Sequence, residues 1–269
     1  MTDRLGAWSN APLAYALAEI RTENLADIED YQPRLAGKLR ETYPVQRTLK
    51  TANLIAYATQ PVFDPSPGTA WEYATTDNQV AVIVRTNGLV LHATKYEDST
   101  SFLAQLGDAV AAFATEVPSV FVNRLGLRYI DFVVPNAGET PEDYVVGALN
   151  PDLGLSDVTE GVATASMSVY RKQSGAVLNL RYTQARGQPE LPPDLGKLSL
   201  DKSPPMKSDV GNDHPTAVLD IDCHQPYSPV ERLDPGRDLD RLASLRAMTY
   251  EAFTKAVTEH ALKVWKEET

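Results

Sequence analysis

Phe121-Val-Asn-Arg-Leu-Gly-Leu-Arg-Tyr-Ile-Asp-Phe-Val-Val134 alternates with the period of two that a β-strand imposes on its side chains. Phe121, Leu125, Leu127, Tyr129 and Val133 fall on one face. Arg124, Gly126 and Arg128 fall on the other, flanked by Val120, Val122, Ile130, Phe132 and Val134. A strand apolar on one face, and apolar at both ends of the second, is expected to be covered on both sides. Its arginines then need anions, because a buried guanidinium keeps its charge and is very costly unpaired. Glu19, Glu72 and Asp131 are the carboxylates at hand, with Glu19 foremost because residues 13–22 alternate to set it beside Leu17 and Arg21. Alternatively Arg124 and Arg128, with Gly126 leaving a gap between them, form a fork for the carboxylate or phosphate of a ligand. Arg124, Arg128, Glu19 and Asp131 are therefore the candidate ligand-binding residues.

The flanking sequence supplies the elements around this strand. In residues 13–22, Ala14, Ala16, Ala18 and Ile20 form a small-residue face suited to close packing. Residues 25–43 are amphipathic. Pro33 is placed in a first helical turn, where its missing N–H costs nothing, with Leu35 and Leu39 toward the core and Pro44 ending the helix. A strand is expected at 51–59 and a proline-rich turn at 61–68. Residues 71–75, 79–86 and 89–96 read as antiparallel strands, the last two joined by Asn87-Gly88, a pair that tolerates the positive φ of a type I′ turn. That hairpin sets Val80, Val82 and Val84 on the face of Leu89, Leu91 and Ala93. Asp98 or Ser99 caps a helix with Phe102, Leu103, Leu106, Val110 and Phe113 on one stripe, closed by Pro118.

Residues 135–155 turn polar and proline-bearing, with a short helix expected at 142–149. They divide the chain into an N-terminal half (1–134), a connector (135–161) and a C-terminal half (162–269), packed as one globular unit. In the second half, 162–172 and 176–185 form a hairpin about Gln173-Ser174-Gly175. Residues 186–215 hold six prolines and read as a long irregular loop, expected to be mobile. A strand at 216–224 precedes one long helix from Asp238 toward Lys266, with Leu242, Leu245, Met248, Phe253, Val257 and Ala261 on its stripe. Both halves thus run strand, strand, strand, long helix. That order suggests an ancient duplication, although the residues show no convincing repeat. The expected fold class is α+β: mainly antiparallel sheet from two such halves, with a long C-terminal helix.

Several of these stretches together resemble a known family. They are residues 12–21, 89–102, the Arg124-Leu-Gly-Leu-Arg-Tyr-Ile-Asp131 motif, Leu219-Asp-Ile-Asp222, and the terminal segment with Phe253 and Val257-Thr-Glu259. The chain is similar to a sporadically distributed bacterial and archaeal family of about this length, to which no activity is assigned. The likeness covers nearly the whole chain, with Arg124–Ile130 its most specific part and 186–215 without a counterpart. It implies the fold and offers no catalytic residues to carry over. The family's patchy distribution associates it with accessory or mobile genes.

The formal net charge of −11 argues against nucleic acid and anionic membranes as partners, since both demand excess Lys and Arg. A single cysteine, Cys223, excludes an internal disulfide and fits a reducing cytoplasm. The first residues lack a signal-peptide pattern, and no apolar run is long enough to span a bilayer. A cytoplasmic location is expected.

Asp220, Asp222 and His224 alternate onto one side of a strand while Leu219, Ile221 and Cys223 point inward. They are weak candidates for a metal, and the bland reading is a polar solvent face; no metal or cofactor is expected. Cys223 reads as a core thiol, because His224 next to it faces oppositely. His260 reads as a solvent-edge residue beside the helical stripe. No phosphate-binding loop, dinucleotide fingerprint or nucleophile elbow occurs. The residues therefore favour a non-enzymatic binding or protein-interaction module with a protein partner. The alternative is an enzyme or small-molecule binder with a polar pocket around Arg124 and Arg128.

Overall fold

The computed structural model describes residues 8, 10–51, 68–150, 161–207 and 209–266. Their strands are β1 (Leu13–Thr22), β2 (Val45–Thr51), β3 (Gly68–Ala74), β4 (Val80–Arg85), β5 (Gly88–Ala93), β6 (Phe121–Val133), β7 (Thr164–Arg171), β8 (Val177–Arg186) and β9 (Pro215–Arg232). The helices are α1 (Ile28–Leu39), α2 (Ser99–Glu116), α3 (Pro141–Tyr144), α4 (Pro235–Ala256) and α5 (Glu259–Lys266). All nine strands join one antiparallel sheet in the order β2-β3-β4-β5-β1-β6-β9-β8-β7. The protein is therefore α+β, with the strand carrying the two arginines in the middle of the sheet.

Helices cover one face. Phe102, Leu106, Val110 and Phe113 of α2, and Leu242, Leu245, Met248 and Phe253 of α4, pack on Leu125 and Leu127 of β6 and on Ala16 and Ala18 of β1. The small alanines let the helices approach the sheet closely. β6 carries an irregularity between Val122 and Arg124, which shifts the alternation by one residue. Val122 therefore joins the Leu125 face in place of Phe121, which is left 42% exposed.

The second face is covered by residues of the 186–215 segment. Leu195 and Met206, from short 3-10 turns at Pro193–Leu195 and Pro205–Lys207, are buried against Tyr15, Leu17, Ile83, Val90 and Ile130, with Leu191 and Leu198 partly buried beside them. The segment is irregular, as its prolines require, but it is a strap across the sheet. Its apolar residues follow no period because no regular element repeats beneath them.

Three local expectations change. Pro33 lies inside α1, five residues past its start, because the helix begins at Ile28; the ring removes one backbone donor there. Thr86 and Asn87 form the two-residue hairpin loop, with Arg85 opposite Gly88. The register moves by two residues, Val84 opposing Leu89 and Val82 Leu91, and an even shift leaves the faces unchanged. Gly88 (φ +135°) serves a close approach instead: a Cβ would strike the Ile20 carbonyl oxygen of β1. The long terminal helix is divided. Val257 is extended and bridges Val145, and the Thr258 hydroxyl then accepts the Ala261 N–H at 3.1 Å to open the short α5. β2 ends where the strand expected at 51–59 begins; residues 52–67 lie outside the described residues.

Within this frame a unit occurs twice. β1 is followed by α1 and then by β2-β3-β4-β5, whose last strand returns to pair with β1, and then α2. β6 is followed by the short α3 and then by β7-β8-β9, one strand fewer, whose last strand returns to pair with β6, and then α4. The two units meet where β1 pairs antiparallel with β6.

Candidate functional site

Strand alternation puts Glu19, Glu72, Arg124, Arg128, Asp220 and Asp222 on the face beneath the strap, in three neighbouring centres. The first is Glu72 on β3. Arg47 Nη1 donates to it at 2.7 Å, His92 Nε2 lies 3.2 Å away, and the Ser199 hydroxyl of the strap donates to it as well. His92 Nδ1 meets the Tyr15 hydroxyl at 3.0 Å. Burial alone would raise the Glu72 carboxyl, yet these hydrogen bonds hold it down at about 2.

The second centre is Glu19 on β1, 1% exposed. Arg124 Nη1 donates to Glu19 Oε2 at 3.0 Å, Arg85 Nη2 donates to Oε1, and Arg21 Nε stands 3.6 Å from Oε1. Burial would raise this carboxyl, and Arg85, Arg124 and Arg21 together bring it below the usual carboxylate range. Arg124 Nη2 also lies 3.9 Å from Asp222 on β9, whose other oxygen accepts from Asn179 at 3.1 Å. Burial raises the Asp222 carboxyl against the pull of Arg124 and Arg128. His224 sits one pair further along, opposite Gly126; burial, then the nearby Arg124 charge, push its imidazole down to about 4.

The third centre is Arg128, with 0% exposure. Nε and Nη2 donate to the two oxygens of Asp220, both at 2.8 Å, while Nη1 and Nη2 reach Asp194 of the strap at 2.5 and 3.1 Å. Arg181 on β8 donates to the same Asp220 at 2.8 Å. This double bidentate grip pins the strap to the centre of the sheet.

The expected partners are thus met in part. Arg124 finds Glu19, while Arg128 finds Asp220 and Asp194 in place of Glu72 or Asp131. Asp131 lies on the helix face, opposite Leu13 and Leu219, beside a cavity of about 20 Å³ bordered by Tyr96, Tyr129 and Arg246. Burial, helped by the Asp220 charge, pushes its carboxyl up to about 8. Odd-numbered positions of β6 point toward the helices there, so Asp131 shares no centre with Arg124 or Arg128.

Asp220 and Asp222 are 2% and 1% exposed, so their face is not a solvent face: the strap and the arginines cover it. Among the described residues no group of three His, Cys, Asp or Glu is placed to hold a metal ion. Cys223 is buried on the helix side, its sulfur 3.6 Å from that of Met248, and burial pushes its thiol up to about 12. It has no contact with the histidines of the opposite face. His260 pairs with Glu139 at 2.9 Å at the solvent edge.

Sequence reading missed the outward-facing features. A cleft of about 590 Å³ runs between β8–β9 and the strap, with Arg181, Asp194, Asp220 and Leu191 among its lining residues. At the end of the sheet, β7 presents Met167, Val169 and Tyr170 at 55%, 50% and 53% exposure, with Val162 just before it at 71%. The alternation of β7 resembles any half-buried strand; only its edge position exposes it.

No protein-family model matches the chain, and no curated protein matches it in sequence. No helix among the described residues is long and apolar enough to cross a membrane.

Proposed function

We propose that this chain is a non-catalytic interaction module whose working surface is the outer edge of β7, and that it docks a strand of a second copy of itself. The observation that carries the reading is the exposed apolar edge. An edge strand ordinarily protects itself with lysine, proline or a bulge, because its free backbone groups otherwise template pairing. β7, Thr-Ala-Ser-Met-Ser-Val-Tyr-Arg, has one charge at its end and neither lysine nor proline. The Lys172 N–H bonds the Ala176 carbonyl at 2.8 Å, which sets the alternation of the ladder. The backbone groups of Ala165, Met167 and Val169 then point away from β8.

Shape selects a second β7. Antiparallel pairing about Ser166 sets Tyr170 opposite Val162 and Met167 opposite Ala165, joining apolar to apolar. The charged centres contribute rigidity: their carboxylates are occupied by arginines of the same chain, which leaves them poorly suited to chemistry. Membership of the sporadically distributed family that the Arg124–Ile130 motif resembles, a cytoplasmic role in an accessory system, and descent of the repeated unit by duplication belong to the same reading.

Ser166→Cys tests the register. Directly opposed residues of a pair lie within disulfide reach, and the one native thiol is buried. Mild oxidation is expected to give a covalent dimer that reductant dissolves. A chain that stays single under conditions that oxidise exposed thiols contradicts the pairing.

A further inference from the structure

Residues 188–193 of the strap arch over β8 and β9 between two anchors. At one end the Gly187 N–H donates to the His214 carbonyl, and the Gly187 carbonyl accepts the Thr216 hydroxyl, both at 2.8 Å. At the other end Asp194 accepts from Arg128 at 2.5 and 3.1 Å. Pro189, Pro192 and Pro193 fix φ along the arch and stiffen it. The cleft of about 590 Å³ lies beneath, a volume that suits a small molecule.

One end of this cleft carries both signs of charge. Arg181 Nη1 donates to Asp220 Oδ2, the same oxygen accepts Arg128 Nη2, and that nitrogen also donates to Asp194. Three successive hydrogen bonds thus bring Arg181 and Asp194 to the same end. Each keeps capacity for a ligand. A guanidinium has five N–H donors, and Arg181 gives one of them to the described residues, with its side chain 22% exposed. Each Asp194 oxygen accepts one bond where it can take two, and that side chain is 29% exposed. Leu191, Ala217 and Val218 give the cleft apolar walls, and exposed Glu190 adds a further carboxylate to its lining.

We infer that this cleft binds an apolar α-amino acid. The carboxylate of the ligand takes the open donors of Arg181, its ammonium takes Asp194, and its side chain lies against Leu191 and Val218. The acidic lining disfavours a simple anion and Arg181 disfavours a simple cation, whereas a zwitterion satisfies both. The site goes beyond the β7 edge and does not rest on it.

The test uses the full chain and L-leucine, with N-acetyl-L-leucine, which lacks the ammonium, and L-leucinamide, which lacks the carboxylate, as comparisons. Titration calorimetry is expected to return one leucine site per chain, with each blocked form at least about tenfold weaker. Arg181→Gln leaves Asp220 held by Arg128; it is expected to weaken leucine about tenfold and to bind leucine and leucinamide alike. Thr183→Trp, from an exposed position on the floor, fills the cleft and is expected to abolish binding. Should one variant fail to fold, the other carries the test beside the ligand series on the parent. The inference is overturned if leucine does not bind, if either blocked form binds as tightly, or if either folded variant binds leucine as the parent does.

Discussion

Gly88 and Gly126 look alike in sequence, each a lone glycine in an alternating stretch, yet they do opposite work. Gly88→Ala meets the β1 backbone at a positive φ and is expected to cost at least about 2 kcal/mol in a denaturant melt. Gly126→Ala meets only ordinary contacts and is expected to stay within about 1 kcal/mol of the parent. Arg128 faces a harsher test, because its removal leaves Asp220 buried with Arg181 alone; Arg128→Ala is expected to cost about 3–5 kcal/mol. Asp131 gives the pH dependence. Its carboxyl titrates far higher in the fold than in the unfolded chain, so the unfolded state releases its proton first as pH rises. Stability from this group is present below about pH 4, is lost at about 1.4 kcal/mol per pH unit, and levels off above about pH 8. Asp131→Asn is therefore expected to raise stability most near pH 8 and not at pH 4, read as the difference between the two melting curves across pH. Glu19 as the partner of Arg124 was legible, because both lie on alternating strands whose faces can be counted. The partners of Arg128 were not: Asp194 comes from a segment with no period, and Asp220 sits on a strand whose alternation looks the same under solvent or under a strap.

The strap and the divided terminal helix show where periodicity stops informing. An apolar stripe runs through Val257 and Ala261 whether or not the axis is continuous, because both segments face the same core. What divides them is Thr258, whose hydroxyl caps α5, and Val257, whose backbone turns to meet Val145. Thr258→Ala is expected to cost about 1 kcal/mol and to fray α5, seen as faster amide exchange at 259–266. The strap looked like a free loop because six prolines bar regular structure, yet Leu195, Leu200 and Met206 are buried. Asp194→Ala should release its grip on Arg128 while the sheet persists. Protease cleavage within 188–207 is expected to quicken several-fold over the parent; an unchanged rate would mean the apolar contacts alone hold it. The central hairpins, α2 and the β7–β8 pair were readable because each carries a turn or cap at its boundary, as Asp98 does by accepting the Ser101 N–H at 2.8 Å.

The whole sheet joins two strand meanders through the β1–β6 pair, and its order follows from no local pattern. Alternation tells which residues share a face, and it is silent on which strand stands last. That is why β7, an ordinary strand in sequence, becomes the exposed edge of the molecule. The ionisable residues most suggestive of chemistry are instead tied to one another beneath the strap, and the docking surface proposed above is the β7 edge. Absolute molar mass in solution, by light scattering on the eluting protein, tests this most directly. The account predicts a particle of twice 29.5 kDa for the parent and 29.5 kDa for a folded Met167→Lys, Val169→Lys double variant. A parent that elutes as a single chain at every concentration, or a double variant that stays paired, would contradict it.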